Sequence, residues 1–321
     1  MSHQSKCIEA TLHGLISESL SRGIQAFGQD RIQKWVIRRG MEFQSPWIWW
    51  GDPNKTRQES YGGGPHEGID FALGEMKDSK RIQAGMAGLQ IPAFTEGTLH
   101  WTFPDLVGDT AIVVSDKAIN GQAIVFQYSH IELDAPQIGD RLSQGDAIGK
   151  IAQSQNPKSI TASHLHLSVA LIEQNLLERP NHEVDFNNWL EWEQLGQLTY
   201  FDPLELLSPE IKETRFVLGQ KANSPFSRLV STGATKEMRL ELRRTLSLNF
   251  PGVQALSKKT LSEASAHQTN DSLLINRKNG TWEIQPSPSL EVPSQTCLEG
   301  DTDQKLVDTL CKIETANKTF A

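Results

Sequence analysis

Ser163-His164-Leu165-His166-Leu167 is the stretch on which the fold turns. Reading 164 to 170 as a β-strand sends successive side chains to opposite faces. His164 and His166 then share one face, while Leu165 and Leu167 share the other, where a core would lie. On a helix the two histidines would diverge by roughly 200°. A β-rich chain with two imidazoles on one face of a strand is the starting expectation.

A second run, Pro65-His66-Glu67-Gly68-Ile69-Asp70-Phe71, follows a Gly-Gly-Gly turn. His66 and Asp70, four apart, can share a face in extended or bent backbone. Histidine and carboxylate are the ligands a borderline-soft divalent metal such as zinc prefers. Two imidazoles and one carboxylate make three protein donors, the number found in catalytic zinc sites. The residues alone leave open whether His164 or His166 is the second imidazole ligand. His130, in Tyr128-Ser129-His130, ends an apolar run from Ala123 and is a further candidate. His3, His13, His182 and His267 stand in polar contexts and read as ordinary surface residues. His100, after Gly97-Thr98-Leu99, reads as structural.

Composition narrows the function classes. The chain has 321 residues, 37% apolar residues and a formal net charge of -8, and its mean hydropathy is -0.42. That balance argues against a nucleic-acid partner, and no Lys/Arg stripe with interleaved aromatics is present. No apolar run approaches the roughly 18 to 20 residues needed to span a bilayer, so no transmembrane segment is expected. Met1 to Gly23 lacks the apolar centre of a secretory signal. Ile8, Leu12, Leu15, Ile16, Leu20 and Ile24 recur instead at helical spacing, and the stripe extends through Ile32, Trp35 and Val36. Cys7, Cys297 and Cys311 form no C-x-x-C pair, so they do not suggest a thiolate zinc site. Cys297 and Cys311 could pair in an exported protein.

Three regions follow. Residues 1–60 read as a helical, then loop-like, N-terminal extension. Within it Ser45-Pro46-Trp47-Ile48-Trp49-Trp50-Gly51 reads as a plug of core aromatics over the catalytic domain, or as a wall of a substrate groove. Residues 61–208 read as mostly β, with Ala111 to Val114 and Ala123 to Tyr128 paired around the hairpin dipeptide Asn120-Gly121. Asn187 to Leu195 reads as a short helix stopped by Gly196. Residues 209–321 read as a polar C-terminal extension, partly helical or disordered and able to hold a protein partner. There Thr235 to Leu246 reads as a helix, Leu273 to Ile284 as a hairpin around Asn279-Gly280, and Pro286-Ser287-Pro288-Ser289 as a linker-like break.

Taken in order, His66-x-x-x-Asp70, Tyr128-x-His130 and His164-x-His166 resemble the motifs of the lysostaphin-type, or LytM-type, zinc metalloendopeptidases. Ile91-Pro92-Ala93 with Gly97-Thr98-Leu99, the Gly-punctuated segment Gln137 to Gly149, and Asp202-Pro203 are similar to the family's framework. The resemblance covers roughly residues 61–208. Thr161-Ala162-Ser163 stands where the family usually has Thr-Gly-x, and Leu167 where an aromatic is frequent.

That resemblance implies a curved antiparallel β-sheet catalytic domain of the duplicated hybrid motif type, with a groove across it. It implies Zn2+ on His66, Asp70 and His166, with His130 and His164 as non-ligand catalytic histidines. It implies hydrolysis of peptide cross-links in bacterial peptidoglycan, hence a periplasmic or extracellular setting. Glu67 follows His66 but not within a His-Glu-x-x-His helix, so a histidine would take the proton of the attacking water. Two other readings compete. One is a catalytically silent cell-wall binding or regulatory module on the same fold. The other is a lipoyl- or biotin-type carrier with Lys117 of Asp116-Lys117-Ala118 at an exposed hairpin tip.

Overall fold

The computed structural model describes residues 3–50, 55–78, 82–134, 136–153, 162–218, 228–232, 254–257, 272–278, 281–285 and 297–298. The described chain is mostly β, with chiefly antiparallel pairing, three parallel strand pairs and few helices. In chain order it begins with α1 (His3–Ala26), β1 (Ile32–Ile37) and α2 (Arg57–Tyr61). The strands β2 (Ile69–Phe71), β3 (Leu73–Met76), β4 (Ile82–Ala84), β5 (Gln90–Pro92) and β6 (Gly97–Pro104) follow. Next come β7 (Asp109–Ile119), β8 (Gln122–Leu133), β9 (Arg141–Leu142), β10 (Ala147–Ile151) and β11 (Leu165–Glu173). Then come α3 (Phe186–Gln194), β12 (Leu198–Phe201), α4 (Pro209–Arg215) and β13 (Phe216–Leu218). The last strands are β14 (Arg228–Thr232), β15 (Gln254–Ser257), β16 (Ser272–Lys278), β17 (Thr281–Gln285) and β18 (Cys297–Leu298).

The chain divides into two compact units. The first comprises Met1–Pro46, Gly63–Pro157 and Ala162–Gln220, and the second Trp47–Gly62, Lys158–Thr161 and Lys221–Ala321. The first unit is built on a 9-stranded sheet whose main path runs β12-β11-β8-β7-β6-β9. Off that path β2 pairs with β11, and β10 bridges β5 and β8. A 4-stranded sheet, β13-β1-β3-β4, completes it.

The long β7–β8 hairpin turns at Asn120 (φ 51) and Gly121 (φ 79), the two positive angles a type I′ turn requires. Lys117 lies within β7 and not at that tip, and its ammonium donates to the carbonyl of Leu15. Asp185 caps α3 by accepting from the Asn187 and Asn188 amides, and Gly196 (φ 71) follows its end. Trp189 and Trp192 of α3 pack with Trp101, Val125 and Ile172 in one core cluster.

In α1, Leu12, Ile16, Leu20 and Ile24 are at most 1% exposed, so the i, i+4 stripe faces the core as expected. The stripe does not run on as helix through Ile32, Trp35 and Val36. The helix ends at Ala26, Gly28 takes φ +66, and the three residues lie in strand β1. A Cβ on Gly28 would come within 3.3 Å of the Trp35 ring, and Phe27 stacks on Trp35 at 4.8 Å. The turn thus seats β1 against an aromatic cluster. Phe71 joins that cluster, edge-on to both Phe27 and Trp35 at 5.4 and 5.0 Å. Ile69 and Phe71 are fully buried on the core side of β2, so the residue between them, Asp70, is directed to the opposite face.

In the second unit, Thr56 and Glu59 form a capping box on α2. Trp50 meets Trp49 edge-on at 5.4 Å, stacks on Tyr61 at 6.3 Å and carries Arg57 over its ring at 5.3 Å. The 5-stranded sheet there has the order β15-β14-β16-β17-β18. Lys278 pairs with Thr281 across the expected hairpin, whose residues 279–280 lie outside the described residues. So do Thr235 to Leu246, the Pro286 to Ser289 break, His267 and Cys311.

Candidate metal centre

Strand register builds the site. β2 runs antiparallel to β11 with Asp70 directly opposite His166, flanked by the apolar pairs Ile69–Leu167 and Phe71–Leu165. On the other side of β11, His166 pairs with Ser129 of β8, which places His130 beside it. A slip of one residue would send His166 to the core and Leu167 to the site, so the buried apolar pairs enforce the register. Gly68 allows the approach. A Cβ there would lie 2.2 Å from the carbonyl oxygen of Leu167 and 2.6 Å from Ser168 Oγ.

His66, Asp70 and His166 converge, all three buried, with ligand atoms within 4.8 Å of one another. His66 Nε2 lies 3.0 Å from His166 Nδ1, Asp70 Oδ1 lies 3.2 Å from His66 Nε2, and 3.0 Å separate Asp70 Oδ1 from His166 Nδ1. Zinc–ligand bonds of 2.0–2.1 Å at tetrahedral angles span edges of about 3.3 Å. The triangle therefore matches one face of a zinc tetrahedron to a few tenths of an ångström.

Hydrogen bonds aim the lone pairs inward. The Glu42 carbonyl can only accept, so the hydrogen of His66 sits on Nδ1, 3.0 Å from that oxygen, and Nε2 is left as a donor to metal. His166 Nε2 lies 2.8 Å from Ser168 Oγ, a hydroxyl able to accept its hydrogen when Nδ1 ligates a metal. Asp70 takes part through Oδ1, and its backbone N–H donates to the Met41 carbonyl at 3.0 Å.

Charge agrees with this arrangement. Burial pushes the Asp70 carboxyl up, but the imidazoles of His66, His164 and His166 outweigh it and hold the group well below the usual carboxylate range. Burial pushes His166 down against the opposing pull of Asp70, so its ring is neutral and able to ligate. His164 is also held down by burial, to about 3, with Asp70 pulling the other way. Its Nδ1–H donates to the Ala162 carbonyl at 2.7 Å, and Nε2 faces Asp70 Oδ1 at 3.6 Å.

His130 stands against both histidines of the His164-x-His166 motif, with its ring centroid 4.7 Å from His164 and 6.2 Å from His166. Its backbone takes φ 65, and between Asp109/Ala111 of β7 and Ile131/Tyr128 of β8 the register shifts. The extra residue forms a bulge at Ser129–His130, a device that re-aims a side chain out of the regular pleat. His100, by contrast, is engaged with the Leu177 carbonyl at 2.7 Å and takes a structural place.

One residue that sequence reasoning passed over completes the group. Asp105 Oδ1 accepts from His130 Nδ1 at 3.0 Å, and Oδ2 accepts from the His130 backbone N–H at 2.8 Å. The same carboxylate takes the Val107 and Gly108 amides and the Thr110 hydroxyl. Burial raises its proton affinity, but the His130 ring and the two turn amides outweigh it and hold it well below its ordinary value. The available signal was the Asp-x-x-Gly turn of residues 105–108, a sequence that marks a loop and says nothing of a partner.

No protein-family model matches the chain, and no curated protein matches it. Among solved structures, the antimicrobial peptidase lysostaphin from Staphylococcus simulans is similar over 50% of this chain and 54% of its own, at 16% identity and a TM-score of 0.28. The catalytic domain of lysostaphin from the same organism is similar over 44% of this chain and 89% of its own, at 17% identity and a TM-score of 0.26. The catalytic domain of a prophage-encoded M23 protein from Enterococcus faecalis, in mutant form, is similar over 37% and 75%, at 20% identity and a TM-score of 0.24.

Proposed function

We propose that this chain is a zinc-dependent metalloendopeptidase acting on the peptide cross-links of bacterial peptidoglycan. The observation that carries the reading is the near-equilateral triangle of His66 Nε2, Asp70 Oδ1 and His166 Nδ1. Its three donors match the number in catalytic zinc sites, one fewer than in closed structural ones. Peptidoglycan is named by the resemblance of the three motifs, in order, to the lysostaphin-type family. A silent module on the same fold gains nothing from a site with all three donors in place.

Zinc held there supplies Lewis-acid polarisation of a carbonyl and acidification of water. The chain's own groups do the rest. His66, Asp70 and His166 hold the ion in buried surroundings that strengthen each electrostatic contact. His130 carries its hydrogen on Nδ1 toward Asp105, so its Nε2 lone pair accepts a proton. The His130 side chain is 22% exposed and that of His164 only 3%, so His130 exchanges protons with solvent more readily. His164, its hydrogen held on Nδ1 by the Ala162 carbonyl, presents a bare Nε2 beside the ligands, a second site able to accept a proton.

The test is digestion of purified cell walls by the zinc-loaded chain, with mass spectrometry of the released peptides. New amino termini at cross-link peptides, lost on chelation and restored by zinc, are the expected result. Stoichiometric zinc with no released peptide would overturn the enzymatic reading.

A further inference from the structure

We propose that Asp105 is a positioning residue for His130, one that fixes the orientation and tautomer of its ring. The inference rests on the hydrolase reading above and extends it to a residue outside the three motifs. The geometry is specific. A carboxylate grips one histidine twice, ring Nδ1 through Oδ1 at 3.0 Å and backbone N–H through Oδ2 at 2.8 Å. A carboxylate only accepts, so the ring hydrogen must sit on Nδ1, which leaves Nε2 bare on the edge that faces away from Asp105.

The carboxylate is itself held. Val107 and Gly108 amides reach Oδ1 at 2.8 and 2.9 Å, and the Thr110 hydroxyl reaches Oδ2 at 2.9 Å. The Asp105 amide donates to the Gly108 carbonyl at 2.8 Å, closing the turn on itself. Thr110 and Ser129 share a hydrogen bond of 2.9 Å, and Gln127 donates to Ser129 at 3.0 Å, so the network reaches back into β8. Gly108 makes room for the turn, since a Cβ there would lie 2.5 Å from the Ile131 carbonyl oxygen. The β6–β7 turn and the bulge of β8 are thus fitted to each other, and His130 is the point where they meet. A bulged backbone at φ 65 gives the ring no strand pleat to lean on. Asp105 supplies that missing constraint.

The experiment uses the full zinc-loaded chain and compares Asp105→Ala, Asp105→Asn and Asp146→Ala. Asp146 accepts the Ser143 amide at 2.7 Å in another turn and controls for the loss of a turn bond alone. Steady-state kinetics on cell-wall peptides, zinc content, and long-range proton–nitrogen spectra of histidine-labelled protein are read together. Expected for Asp105→Ala is a fall in kcat of at least about tenfold, with KM within about twofold and zinc content unchanged. Its His130 spectrum should lose the Nδ1–H pattern, and Asp105→Asn, which keeps one acceptor oxygen, should recover part of kcat. Should the alanine variant fail to fold, the asparagine variant carries the same comparison with a smaller fall. A kcat no lower than that of Asp146→Ala, or an unchanged Nδ1–H pattern, would overturn the proposal. If the parent chain releases no peptide, the hydrolase reading fails by itself, and the ring spectrum still decides whether Asp105 holds His130.

Discussion

His66 Nε2 and His166 Nδ1 face each other at 3.0 Å although a hundred residues separate them in the chain. Each ring has its other nitrogen committed, to the Glu42 carbonyl and to Ser168 Oγ. These two ring nitrogens and Asp70 Oδ1 meet at one spot, where a proton on His166 Nδ1 or a cation would bind them together. His166→Ala should therefore abolish zinc retention. Metal analysis after gel filtration checks this, and full zinc content in the variant would refute the ligand assignment. In the parent chain, zinc at about 1,000 times its Kd should stabilise folding by about 4 kcal/mol, read as a rise in Tm over the chelated protein.

His130→Ala should behave differently. The ring lies beside the His66–Asp70–His166 triangle and not in it. Zinc content should stay stoichiometric while kcat falls by about 100-fold or more, the range for loss of a general acid or base. Loss of zinc in this variant would move His130 into the ligand set.

Acid should destabilise the metal-free fold. In the folded state His164 is held down from 6.5 to about 3 by burial. Between those values the unfolded chain binds a proton that the folded chain does not, so stability is full above about pH 6.5 and declines as pH falls toward about 3. Each such group contributes a slope of about 1.4 kcal/mol per pH unit inside its window. His166, also lowered, acts in the same sense. Urea denaturation of chelated protein from pH 7.5 downward reads the slope, and His164→Gln should flatten it. A stability curve flat from pH 7 to 4 would count against a neutral buried His164.

Ser168→Ala removes the hydroxyl that hydrogen-bonds His166 Nε2. The imidazole remains, but it loses the contact that orients it. Zinc should bind about 10- to 100-fold more weakly, with the fold intact by circular dichroism. Competition with a chelator of known affinity measures the change, and an unaltered Kd would remove Ser168 from the support of the site.

Gly68→Ala tests the close approach of the His66–Asp70 segment to β11. The added methyl would press on the Leu167 carbonyl and Ser168 Oγ. A loss of about 1–3 kcal/mol in unfolding free energy, with a weaker hold on zinc, is expected. Unchanged Tm and zinc affinity would show that the two strands can move apart freely.

Much of this arrangement was legible because the informative signals were local. The alternation His164-Leu165-His166-Leu167 carries its own face assignment, and β11 has Leu165 and Leu167 fully buried while both histidines turn to the site. Asn120-Gly121 and Gly196 mark turns through their own backbone preferences, and both take positive φ. The path after α1 misled because Ile32, Trp35 and Val36 keep the i, i+3, i+4 spacing of a helix, whereas in strand β1 the neighbours Trp35 and Val36 point to opposite faces and both are buried. Gly28, packed under Trp35, is where the helical path stops. Asp105 was hidden for a different reason. It meets His130 from 25 residues away, across a bulge that no local pattern announces. The carbonyls of Glu42 and Ala162 orient two imidazoles, and a backbone oxygen leaves no mark in residue type.

The first helix is tied to the rest of its unit at three separated points. Lys117 and Gln144 donate to the Leu15 and Ser19 carbonyls, and the Ser208 amide donates to Ser21 Oγ. Just beyond its end, Phe27 lies edge-on to Phe71, the neighbour of Asp70. Trimming this leading segment to obtain a minimal fragment would strip the greasy backing from the strand that carries Asp70. A shortened version that retains every histidine of the site should therefore be poorly soluble and short-lived under protease challenge.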